Sequence, residues 1–265
     1  SDAGPDAGDT MLLRPVATTA DLGRYGLLLS EALLGVFRRP WRVNAVISQT
    51  AFIGARSALV LILSGGFVGM VVALQFHDTL VRFGSVSLIG AAVGLSLVRE
   101  LGPIICALLV IGRAGSSVCA ELAVMRSEEQ VDALETMGIA PIPYLVSPRL
   151  LAGVLSVPLL TAMFDVAGII GGWFVAVVLF GISQGAYFGG MADSVLPSDV
   201  FMGLVKSLVF ALLLTWICAT KGYFLHLHSR GHYGSEGVSV VTTEAVVYSA
   251  VAVLAADFLI SAILV

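Results

Sequence analysis

The chain predicts an all-α integral membrane protein, and three observations carry that reading. Of its 265 residues, 58% are hydrophobic and 12% charged, against about 45–50% apolar and 25% charged in a soluble domain. Five segments, roughly 53–76, 86–113, 145–180, 200–225 and 242–265, match the about 20 apolar residues that cross a hydrocarbon core. Basic residues also gather at alternate ends of these segments. The first observation alone excludes a soluble enzyme. The net charge of −4 says little, because in a membrane protein the placement of charge informs more than its sum.

The elements follow in order. Residues 1–20 read as a disordered tail, acidic and Gly/Pro-rich at "SDAGPDAGDT", without the basic and apolar regions of a signal peptide. Residues 21–42 read as an amphipathic helix lying in the membrane interface, with an ordinary amphipathic helix packed on protein as the alternative. Leu22, Leu29, Leu33, Val36 and Phe37 recur at helical spacing, and Asp21, Arg24, Glu31, Arg38 and Arg39 take the other side. Residues 43–265 hold the spans. The third is overlong and contains Pro158, so it tilts, kinks or extends beyond the bilayer. Gly65, Gly66 and Gly69, and again Gly168, Gly171 and Gly172, suit close helix contact.

Arg14, Arg24, Arg38, Arg39 and Arg42 precede the first span. Arg113, Arg126 and Arg149 lie in or beside the second connection, and Lys221 and Arg230 in the fourth. The opposite side offers Arg82 and no basic residue in 181–199. The N-terminus is therefore expected in the cytoplasm and the C-terminus outside.

Within the second connection, "MRSEEQVDALETMGIAPIP" reads as a short helix. Ser127 and Gln130 are spaced as a capping box, and Glu128 and Glu129 suit a positive helix start. Gly138 supplies a left-handed stop, and Pro141 and Pro143 prevent continuation. Val131, Leu134 and Met137 share a face. A helix of about ten residues is not stable alone, so it needs a surface to lie on.

Several ionisable groups fall inside spans: Arg99, Glu100, Asp165, Lys206 and Asp257. A charge at mid-bilayer costs at least about 2.5–3.5 kcal/mol, so such groups face a bundle interior or water. Counted at about 1.5 Å per residue from the outer ends, Lys206 lies roughly 9 Å deep, Asp257 roughly 12 Å and the Arg99/Glu100 pair roughly 20 Å. Neighbours in sequence do not face each other on a helix, so Arg99 and Glu100 each need a partner elsewhere. Three readings stay open. They form a dry network, Arg99 with Asp257 and Glu100 with Lys206. They line a polar pocket for a charged lipid headgroup. Or they form an ion pathway through Asp165, Glu100 and Asp257, as in an ion-coupled secondary transporter. Asp165 is expected to pair with Arg113 or Arg149 or to be buried protonated, and Arg113 and Glu121 to pair beside the short helix.

Cys106, Cys119 and Cys218 have no metal-like spacing and read as small buried hydrophobes. His226, His228 and His232 in "HLHSRGHY" lack a completing ligand at close spacing and read as a solvated loop, so no metal site is expected. No phosphate-binding Gly-x-x-x-x-Gly-Lys-[Ser/Thr] loop occurs, so ATP hydrolysis would need a separate subunit.

The run "RELGPIICALLVIGRAGSSVCAELAVMRSEEQVDALETMGIAPIPYLVSPRLLAGVLSVPLL", with "KSLVFALLLTWICATKGY" and "AVLAADFLISAIL", resembles the MlaE/YrbE permeases, over roughly residues 45–265. These are the membrane subunits of bacterial ABC lipid transporters that work with MCE-domain proteins. The resemblance implies a homodimeric, multi-pass inner-membrane permease with five spans per subunit and a lipid cavity between subunits. It implies a phospholipid cargo, moved between the inner and outer membranes to maintain outer-membrane lipid asymmetry; sterol or other apolar cargo is the alternative within the family. It implies partner ABC ATPase subunits that use ATP and Mg, a hexameric MCE-domain protein on the periplasmic side, and no cofactor in this chain and no nucleic acid. It places a coupling helix at about 121–138, with Glu121, Arg126, Glu128, Glu129, Asp132 and Glu135 toward the ATPase. It also places Arg99, Glu100, Lys206 and Asp257 near bound lipid, with Phe67, Val71, Leu74 and Gln75 as candidates for the acyl-chain wall.

Overall fold

A computed structural model describes residues 19–37, 42–225 and 234–264. Of the expected tail over 1–20, residues 1–18 lie outside the described residues, as do Arg38, Arg39, His226, His228 and His232, while Thr19 and Ala20 already belong to a helix. Among the described residues the fold is entirely helical. Helix α1 spans Thr19–Phe37; α2, Val43–Arg82; α3, Val86–Ser127; α4, Gln130–Thr136; α5, Ile142–Leu179; α6, Gln184–Ser194; α7, Pro197–Tyr223; and α8, Ser235–Leu264. Helices α2, α3, α5, α7 and α8 are each long and apolar enough to cross a membrane.

These helices outrun the expected spans. Helix α3 has 42 residues, which at about 1.5 Å each is twice the roughly 30 Å of a hydrocarbon core. Periodicity marks only the apolar part of such a helix. The ladder also changes pitch: π-helical turns occupy Ala51–Ala55, Leu97–Leu101, Ile111–Gly115, Ile142–Val146 and Phe174–Leu179. Such turns re-aim the side chains that follow them and concentrate at functional sites. In α5 the stretch Ser147–Trp173 stays helical through Pro158.

Helix α3 is the hub. Its first turns pack on α6, its middle on α5, and its last turns on α7 and α8. Helices α2 and α5 form the closest pair, because the two glycine groups face each other. A Cβ on Gly69 would land on the Gly168 carbonyl, one on Gly65 on the Phe164 carbonyl, and one on Gly171 on the Gly66 carbonyl. The small-residue expectation is borne out in its strictest form, backbone against backbone.

Helix α6 closes the end of the bundle away from α4. Ser183 caps it, its hydroxyl accepting from the Ala186 amide at 3.2 Å. Tyr187 is fully buried and donates to the Ile169 carbonyl at 3.0 Å. Burial pushes its phenol up, so it remains a neutral donor at ordinary pH.

At the opposite end, α1 lies across the ends of α5 and α7. Leu28 and Ala32 are its buried anchors, while Leu27 and Leu34 stay exposed. Trp216 donates to the Tyr25 carbonyl at 3.1 Å, and Ser147 to the Ala32 carbonyl at 2.7 Å. The anchors fall beside the expected stripe: Leu29 and Val36 are half-buried and Leu33 is exposed. A short residue, Ala32, makes the closest approach, and a hydrophobicity pattern gives alanine little weight.

Candidate functional site

The cluster is built where α3, α7 and α8 meet. The π turn over Leu97–Leu101 carries Arg99 and Glu100. Lys206, on α7, is wholly buried. Its ammonium donates to Glu100 Oε2 at 2.5 Å and to Ser261 Oγ at 2.7 Å, and lies 3.0 Å from Asp257 Oδ1 as an ion pair without hydrogen-bond alignment. Asp257 and Ser261 are four residues apart on α8, hence on one face. Two helices, α3 and α8, thus supply three oxygens around one ammonium carried by a third.

Arg99 turns the other way. Its Nε lies 3.7 Å from Asp199 Oδ1 at the start of α7. The second oxygen of Asp199 accepts from the Leu196 amide at 2.9 Å, so one carboxylate both caps α7 and faces Arg99. Of the expected pairs, Glu100 with Lys206 forms; Arg99 with Asp257 does not. Lys206 takes Asp257 instead, because α8 contacts α7 along much of its length. The depth count is corrected as well. Glu100, counted as deepest, meets Lys206 directly, because the first turns of α3 pack on α6 rather than start level with α7.

The cluster is neither a sealed core nor an enclosed pocket in a single chain. Lys206 is shut in, but the Glu100 side chain is 39% exposed and that of Arg99 32%. Together they form one wall. Phe67, Val71, Leu74 and Gln75 fall elsewhere, on the face of α2 opposite its glycines, and all four are exposed. They are brought together with one another but not with the Lys206 cluster.

The α4 end departs from a single helix over 121–138. Glu121, Arg126 and Ser127 belong to the last turns of α3, the chain breaks at Glu128 and Glu129, and α4 is only Gln130–Thr136. The capping box does not form: Ser127 ends α3, Gln130 donates to Glu128 Oε2 at 2.7 Å, and Glu129 enters α4 at φ +57°. The stop does form, with Gly138 at φ +75°, its amide on the Glu135 carbonyl and that of Ile139 on the Leu134 carbonyl. Val131 is fully buried in a cluster that also holds residues of α1, α3, α5 and α7, and Leu134 packs against that cluster; Met137, expected with them, is 65% exposed. Arg126 clips α3 to α4 through Asp132 at 2.7 Å, and Glu121 ties α3 to Arg149 of α5 at 3.1 Å. Glu128, Glu129, Asp132 and Glu135 are exposed.

The Arg113–Glu121 pair does not form. Arg113 donates instead to the Phe52 carbonyl at 3.2 Å and Ser57 Oγ at 2.6 Å. Asp165 pairs with neither expected arginine. Its Oδ1 is buried without a partner, set against Gly102. With no counter-charge for a carboxylate, Asp165→Asn is expected to leave the unfolding temperature unchanged or raise it, read by thermal unfolding in detergent. A loss above about 2 kcal/mol would show a partner for the charge. The three cysteines are buried, as expected.

Sequence reasoning missed Asp199 and Ser261. Asp199 stood in "LPSDV", a Pro-then-acid signature of a helix start, and Ser261 one turn beyond Asp257.

A family model described as Permease MlaE matches residues 46–263. The chain is 39% identical, over 92% of its length and 91% of the relative's, to the intermembrane phospholipid transport system permease protein MlaE of Haemophilus influenzae. It is 37% identical to a probable ABC transporter permease protein of Rickettsia felis, over 94% and 93%. It is 32% identical to the chloroplastic TRIGALACTOSYLDIACYLGLYCEROL 1 protein of Arabidopsis thaliana, over 89% and 65%.

Proposed function

The chain belongs to the MlaE permease family, and on that premise we propose that it is the membrane permease subunit of an ATP-driven transporter moving phospholipid between the inner and outer membranes of a bacterium. The observation that carries the mechanism is Lys206, buried between Glu100 and Asp257 while Glu100 and Arg99 stay open. Two such walls in a homodimer enclose an amphiphile. Arg99, held only loosely by Asp199, offers guanidinium donors to a headgroup phosphate. Glu100 and Asp257 accept from headgroup donors, and Lys206 keeps both carboxylates in place when the cavity is empty. The exposed stripe of Phe67, Val71, Leu74 and Gln75 meets acyl chains.

In this reading the α4 end is cytoplasmic, as the basic residues require, and it docks the ATPase subunits. ATP and Mg act there; this chain contributes a lever. Val131 sits among residues of four other helices, so a push on α4 reaches α1, α3, α5 and α7 together. The Arg126–Asp132 clip passes it along α3, whose π turns yield near Arg113 and at Glu100. The periplasmic end receives a hexameric MCE-domain protein.

The test is lipid transfer by the chain reconstituted with its ATPase. Transfer is expected to stop with an ATPase inhibitor and to ignore ion gradients; the opposite result would assign the carboxylates to ion coupling. Reversing the exposed acids together, Glu128→Lys, Glu129→Lys and Glu135→Lys, is expected to cut ATPase co-purification at least about tenfold, since like charges across an interface cost several kcal/mol. Bound lipid is expected to persist. Unchanged co-purification would remove α4 from the docking surface.

A further inference from the structure

Two arginines outside the Lys206 cluster share one aromatic ring. The guanidinium carbon of Arg56, on α2, lies 5.5 Å from the Phe52 ring centroid, and that of Arg113, on α3, lies 5.8 Å from it. Arg113 is anchored through Nη1 on the Phe52 carbonyl and Ser57 Oγ. Its remaining donors are unspent, and they are not among the sealed, partnerless atoms of the bundle. Arg56 is exposed, and its side chain makes no hydrogen bond among the described residues. Among the described residues no carboxylate pairs with either. Two cations with no carboxylate partner therefore stand together on membrane-spanning helices, and their combined charge attracts an anion.

Their depth says which anion. From Ser57 to Phe76 the chain carries no charge. That run of about 20 residues measures about 30 Å as a helix, the thickness of the hydrocarbon core, and Arg56 is the charge that bounds it on the α4 side. Arg113 stands about 20 Å along α3 from Glu100, which separates this pair from the Lys206 cluster by most of a bilayer core. Headgroup phosphates of the α4-side leaflet lie at this level. A phosphodiester offers oxygens to both guanidinium forks, and the Phe52 ring backs the cations.

We propose that Arg56, Arg113 and Phe52 form a second phosphate-recognising site, occupied by the headgroup phosphate of a phospholipid in the α4-side leaflet, distinct from the Lys206 cluster. It requires only that the chain span a membrane, so it stands or falls separately from the cargo role of that cluster.

The test uses the purified full chain in nanodiscs containing a phosphatidylglycerol with a photoreactive diazirine beside the headgroup, with labelled peptides mapped by mass spectrometry. Labelling is expected around Phe52 and Arg113. Arg56→Gln should lower it about tenfold, the effect of losing one charge-assisted contact, and Arg56→Lys should lose less. Labelling near Lys206 should not change, which keeps the two sites separable. Four results overturn the proposal. Equal labelling in Arg56→Gln would show that the guanidinium does not read the headgroup. Equal labelling by a diazirine diacylglycerol lacking phosphate would show a purely apolar groove. Displacement by excess inorganic phosphate would assign the pair to a free anion. If Arg56→Gln lowers the dimer fraction while labelling stays, the anion is a carboxylate of the second subunit, and the lipid assignment fails.

Discussion

Lys206→Met is expected to abolish lipid transfer and to destabilise the chain by about 3–5 kcal/mol. The ammonium is the shared counter-charge of Glu100 and Asp257, and it is wholly buried, so no water replaces it. Methionine fills the volume but leaves two carboxylates facing each other across a helix junction. Thermal unfolding in detergent reads the stability, and reconstituted transfer reads the function. A second variant separates the two roles. Combining Lys206→Met with Glu100→Gln and Asp257→Asn removes the ammonium and both of its carboxylates at once, and replacing a buried ionic group by neutral ones of like size is often neutral for stability. The triple variant should therefore recover most of the lost stability and none of the transfer. If it recovers transfer as well, the cluster serves only to hold three helices together.

Gly69→Val is expected to prevent assembly of α2 on α5. The new Cβ would occupy the position of the Gly168 carbonyl, and a backbone atom cannot rotate aside as a side chain does. Overpacking a core costs about 1–3 kcal/mol where side chains can adjust; here only separation of the two helices relieves it. Gly69→Ala already carries the offending atom, so it should lose nearly as much as valine. Gly66→Ala, whose Cβ would meet only the Ala167 carbonyl at 3.9 Å, should be tolerated. Yield of folded protein and unfolding temperature for the three variants decide it; equal behaviour of Gly66→Ala and Gly69→Ala would refute the backbone contact.

Much of the fold was legible because lipid simplifies the problem. A spanning segment must satisfy its own backbone, so an apolar run of sufficient length has few alternatives to a helix. The helix at Thr19–Phe37, the glycine faces and the left-handed stop at Gly138 follow from such local rules. The capping box was misread because Ser-x-x-Gln spacing describes a helix start only where the chain enters one, and here α3 is still ending at Ser127. Arg56 drew no notice, since an arginine near a span end is ordinary until a second one is found over the same ring.

The sequence by itself determined that this is a five-span helical membrane protein of the MlaE permease family, with ionised residues that need partners and an α4 segment that needs a surface. Only the tertiary structure decided the partners: Lys206 with Glu100, Asp257 and Ser261, Arg99 with Asp199, Arg113 with the α2 backbone. The reason is geometric. Pairing between long helices depends on their relative height and rotation, which are set by backbone contacts at glycines and by π turns that shift every later side chain. Residue spacing along one helix carries information about its own faces, and none about how far it has slid past its neighbour.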